Sequence, residues 1–106
     1  MTVAVSAFTG RAIVSKRNWK AEATVTIKNV SDNDNSLVGG ATVTVTFNPG
    51  GTSSCVTEAA SGSCVVTSST LKNTVSNTKA TVTSASGTGM TYDSTKNAVS
   101  QITIAK

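Results

Sequence analysis

Histidine is absent from the 106 residues. Every triad, general base and zinc site built on imidazole is therefore excluded. Charged residues are scarce at 13%, and the acids are scattered as Glu22, Asp32, Asp34, Glu58 and Asp93. Serine and threonine hydroxyls abound, but nothing in the sequence supplies them with a base or brings Glu58 and Asp93 together as a carboxylate pair. No enzyme and no cofactor are expected. Aromatic residues make up only 4%: Phe8, Trp19, Phe47 and Tyr92. Platforms on which sugars or bases stack are thus in short supply, and no nucleic-acid motif accompanies them. Proline occurs once, at Pro49. No apolar run approaches the roughly 20 residues that span a bilayer, so no membrane insertion is expected. No signal peptide is expected at Met1-Thr2-Val3, which leads directly into alternating residues.

What the chain has instead is threonine, serine and asparagine. Threonine is β-branched and suits a pleated surface. Hydrophobic residues make up 38%, which, with so little charge, argues against disorder along the whole chain. The length suits one domain over residues 1–106; two would each be too small to bury a good core.

Alternation carries the fold prediction. Trp19, Ala21, Ala23, Val25 and Ile27 alternate with Lys20, Glu22, Thr24, Thr26 and Lys28. This period of two sends one apolar row inward and one polar row outward. The same pattern recurs where Ala41, Val43, Val45 and Phe47 interleave with Thr42, Thr44 and Thr46, until Asn48-Pro49-Gly50-Gly51 ends the run. Further extended segments are read over 3–8, around Cys55, around Cys64, over 76–85 and over 99–105. Met90-Thr91-Tyr92 forms a short extension before the last. Glu58-Ala59-Ala60-Ser61-Gly62 reads as a hairpin connection with Gly62 at positive φ. About seven short strands with no helical period predict an antiparallel β-sandwich. Loops with room for a binding role are expected over 10–18, 31–40 and 84–97.

Two cysteines, Cys55 and Cys64, in a small Thr/Ser-rich chain favour one disulfide in an exported protein over two buried thiols. Closing a loop of about ten residues contributes roughly 2.7 kcal/mol in the chain-entropy model. The bond is expected to join two neighbouring strands. An exported chain without a leader reads as a module cut from a larger protein.

The order of motifs resembles bacterial immunoglobulin-like domains of secreted and surface proteins. The matching stretches are Trp19 to Ile27, Val38-Gly39-Gly40-Ala41-Thr42-Val43, Ser54-Cys55-Val56-Thr57, Ser61-Gly62-Ser63-Cys64-Val65-Val66 and Ala80-Thr81-Val82-Thr83. The march is similar to the invasin/intimin-like group. It looks closer to the disulfide-bearing variant appended to secreted hydrolases, in which Tyr92 matches a tyrosine near the end. The resemblance covers residues 3–105. It implies an immunoglobulin-like fold and a non-catalytic module: a spacer, a stabiliser of a neighbouring domain, or an adhesive unit at the cell surface. It carries no active site.

Four further features carry candidate chemistry. Arg11, Lys16, Arg17 and Lys20 precede the first acid and offer a surface to a polyanion; the competing reading is a solvated loop. Asp32, Asp34 and Ser36 hold the first oxygen positions of a calcium loop, but Leu37 and Val43 stand where its Gly and Glu belong, so a plain turn is favoured and no metal is expected. Tyr92, with Trp19 and neighbouring asparagines, is the basis of an alternative carbohydrate-binding reading, with polysaccharide or cell-surface glycan as partner. By parity, however, Trp19 belongs to the core. An internal Lys–Asn bond is disfavoured, since Lys20, Glu22 and Lys28 lie on the outward row. Asn29-Val30-Ser31 matches a glycosylation sequon but reads more simply as a strand entering a turn.

Overall fold

The computed structural model describes residues 1–31 and 35–106. Among them the chain is all-β, with nine strands in two sheets and a short 3-10 turn over Ser94–Lys96. The strands are β1 (Thr2–Val14), β2 (Asn18–Asn29), β3 (Thr42–Asn48), β4 (Gly51–Val56), β5 (Ser63–Thr67), β6 (Leu71–Lys72), β7 (Asn77–Ser86), β8 (Thr91–Tyr92) and β9 (Gln101–Ala105).

The first sheet runs β5-β2-β1-β8, with β6 also pairing β2; the second runs β4-β3-β7-β9. Nine strands replace the expected seven because β6 and β8 are two-residue pieces, too short for periodicity to register. The pairing is not wholly antiparallel either. Thr2 and Val3 of β1 pair in parallel with Thr91 and Tyr92 of β8.

Alternation decides which residues face inward. Trp19, Ala21, Ala23, Val25 and Ile27 are buried along β2, as are Val43, Val45 and Phe47 along β3. These rows belong to one apolar core with Phe8, Val66, Leu71, Val82 and Ile104. The side chains are mostly small, so close backbone approaches matter. A Cβ at Gly39 would stand 2.4 Å from the Ala59 Cα, and Gly62, at φ +63°, has no room for one beside Leu37.

The expected loop over 10–18 is instead the long hairpin of β1 and β2, paired from Val3↔Asn29 to Val14↔Trp19. Its turn is short: the Ser15 amide donates to Asn18 O, leaving Lys16 and Arg17 at the tip. The expected loop over 84–97 likewise contains the end of β7, all of β8 and the 3-10 turn. It runs along the open edge of β1. Thr91 N donates to Met1 O, Asp93 N to Val3 O and Ala98 N to Val5 O.

One disulfide joins Cys55 to Cys64, with Cα atoms 5.9 Å apart. The strands it joins are not hairpin neighbours, as the sequence led us to expect. Cys55 lies on β4, at the edge of one sheet, and Cys64 on β5, at the edge of the other. The 57–62 connection is an arch between sheets, and the bond closes that side of the core. Buried Thr57 anchors the arch: its hydroxyl accepts from Ala41 N at 3.0 Å and donates to Val38 O at 2.7 Å.

Residues 1 and 106 lie at opposite ends of the long axis, which measures 47 Å. The Met1 amine bonds Gly89 O beside the start of β1. Lys106 Nζ bonds Asn73 O, and the Asn73 side chain bonds Lys16 O at the far tip of the hairpin.

Candidate functional site

The outward face of the first sheet carries the most organised polar surface. It follows from the register of β1 on β2. Ile13 lies opposite Lys20, Arg11 opposite Glu22, and Thr9 opposite Thr24, all on the outward row. Arg11 Nε donates to Glu22 Oε1 at 2.8 Å. The arginine is largely exposed, at 73%, while the glutamate is mostly covered, at 21%. Glu22 therefore anchors one nitrogen of the guanidinium and leaves its fork facing solvent.

Gly10 has no side chain, and above it the surface dips. Thr9, Gly10, Arg11, Glu22 and Thr24 line an open depression of about 290 Å³. A Cβ at Gly10 would point inward, 2.5 Å from the Ile104 Cδ1, so the glycine is required by packing of the two sheets.

At the hairpin end, Lys72 of β6 stands opposite Asn18 of β2, two residues before Lys20. Lys20, Lys72, Lys16 and Arg17 are all exposed. Arg11–Glu22 is the ion pair found among the described residues, so these four cations have no acidic partner there.

No family model, curated protein or solved structure matches the chain.

The other candidate residues are dispersed. Trp19 is fully buried and its indole N–H donates to Val75 O at 2.9 Å. It presents no face to a ligand, which corrects its place in the carbohydrate reading. Tyr92 is half-buried against the core, and its hydroxyl accepts from Asn97 Nδ2 at 2.6 Å. It pairs at Val3, whereas Arg11 is eight residues further along β1, roughly 27 Å away at the usual strand rise. No single site unites Tyr92 with Trp19 or with the basic residues.

Asp32 and Asp34 of the calcium reading lie outside the described residues. Ser36 is exposed, and its carbonyl accepts from Asn29 N at 2.8 Å. Among the described residues no group of three His, Cys, Asp or Glu side chains is placed to hold a metal. Asp93 caps the 3-10 turn by accepting from Thr95 N at 3.0 Å. The Thr95 hydroxyl bond, aided by the backbone bond and by Lys96, holds the Asp93 carboxyl below its usual range of 3.8.

Lys72, Thr9 and Thr24 were not singled out by the sequence. Parity along β2 already placed Thr24 on the same face as Lys20. Lys72 had no such signal, because a two-residue strand has no period and its partner is 54 positions away in register at Asn18. Chemically, the face can bind anions and hydroxylated groups; no nucleophile and base are brought together on it.

Proposed function

We propose that this chain is an immunoglobulin-like β-sandwich module of an exported protein, of the kind found in bacterial secreted and surface proteins. It is non-catalytic and serves as a spacer, stabiliser or adhesive unit beside neighbouring domains. The observation that carries the reading is the strand order. The first, second and fifth strands share one sheet, while the third, fourth, seventh and ninth share the other. That partition supports the reading, since it is similar to the immunoglobulin division of strands with β4 as the extra strand beside β3, the two-residue β6 and β8 lying outside the likeness. The disulfide suggests an oxidising, extracellular setting.

The placement of residues 1 and 106 supports the spacer role. A module entered at one end and left at the other adds its full length to a chain of domains. Two copies joined from Lys106 to Met1 are expected to form a rod roughly double the 47 Å axis, measured by small-angle X-ray scattering. A compact particle folded back on itself would reject the spacer reading.

A further inference from the structure

The outer face of the first sheet has a property that a spacer does not need. Cations line one end of it and hydroxyl groups the middle. Lys72 and Lys20 are separated by one strand spacing, about 5 Å, and one two-residue repeat, roughly 7 Å. The next repeat along β2 is Glu22, whose charge is already taken by Arg11 at 2.8 Å. The Arg11 fork is thus the third cation of the row. Beyond it the depression at Gly10 is walled by the Thr9 and Thr24 hydroxyls. Lys16 and Arg17 extend the positive end around the hairpin tip, where the Lys106 ammonium donates to Asn73 O.

We infer that this face binds an acidic polysaccharide laid along β2. Carboxylate or sulfate groups meet Lys72, Lys20 and the Arg11 fork, which accepts such groups in a two-point bond. Sugar hydroxyls exchange hydrogen bonds with Thr9, Thr24 and the free oxygen of Glu22. A ligand with charges and hydroxyls in alternation uses both halves of the face. A lipid surface uses the cations but cannot enter the depression. A single-stranded nucleic acid finds no aromatic ring on this face on which to stack its bases. The proposal does not depend on the spacer role.

The test is an amide NMR titration of the chain with heparin and with polygalacturonate, using dextran as the uncharged control. Saturable shifts are expected at residues 9–11, 20–24 and 72 with both acidic polymers and not with dextran. Lys20→Ala with Lys72→Ala should weaken binding roughly tenfold and lower the salt slope by about one per cation removed. Thr9→Val with Thr24→Val should weaken it about threefold without changing that slope, since the variants keep shape and charge. All four positions face outward, and an amide spectrum unchanged away from the sites confirms folding. The proposal is overturned by three outcomes: no saturable shifts, binding indifferent to the lysine pair, or equal affinity for single-stranded DNA or for phosphatidylglycerol vesicles at the same salt.

Discussion

Asn97 acts as a strand for Val5. Its side-chain oxygen accepts the Val5 amide at 2.7 Å beyond the end of β8, while the next amide along, Ala98 N, donates to Val5 O. Its amide group then donates to the Tyr92 hydroxyl at 2.6 Å and to Ser100 Oγ at 2.9 Å. One residue therefore completes the edge of β1 and fixes the segment that covers it.

Replacing Asn97 with alanine leaves the Val5 amide without a partner. The expected loss is about 1–3 kcal/mol, read as a lower midpoint in urea unfolding. Faster hydrogen exchange at Val5 should accompany it, with exchange in β3 unchanged. Equal exchange at Val5 in both proteins would contradict the role given to Asn97.

The disulfide closes the side of the core where β4 and β5 form the two sheet edges. Cys55→Ser with Cys64→Ser should cost about 2–5 kcal/mol. Thiol counting on the unreduced, denatured protein should find none. Two reactive thiols would refute the bond.

Gly39→Ala forces a methyl group to within 2.4 Å of the Ala59 Cα, which is backbone and cannot swing aside. A destabilisation of about 1–3 kcal/mol is expected from overpacking. Gly40 has open space around its Cβ position but a φ of +76°, so Gly40→Ala is penalised by backbone conformation alone. Thermal unfolding of the two variants compares a clash with a dihedral cost.

Asp93 titrates below its usual value because Thr95 bonds its charged form. A carboxyl with a depressed folded pKa stabilises the fold above its unfolded pKa. That contribution fades as pH drops from 3.8 through the folded value. Carboxyl NMR should place the Asp93 midpoint below 3.8. Asp93→Asn should flatten the acid limb of the stability curve below about pH 4. A midpoint at or above the ordinary value would remove the capping bond from consideration.

Much of this protein could be read residue by residue. The β2 alternation placed Trp19 inward, and the fold buries it completely. Gly62 was expected at positive φ and has φ +63°. The Pro49 turn ends β3 where expected. All of these are local properties: a two-residue period, a missing Cβ, a missing amide proton.

The partners of those residues were less accessible. Cys55 and Cys64 are separated by nine positions, a spacing that serves a hairpin and an arch between sheets equally well. The distinction lies in β4 pairing with β3 and β5 pairing with β2, which depends on contacts distant in the chain. Met90-Thr91-Tyr92 looked extended, but only tertiary packing placed it parallel to β1 and left Val5 for Asn97 to satisfy.

By itself, then, the sequence determined that this chain is made of strands, which face of each is buried, and that its chemistry excludes imidazole. Tertiary structure alone decided which edges meet, that the disulfide spans two sheets, and that Lys72 shares one sheet face with Lys20 and Arg11. The reason is physical. Side-chain direction follows from alternation along one strand, whereas strand neighbours are chosen by the free energy of the whole core, to which every strand contributes at once.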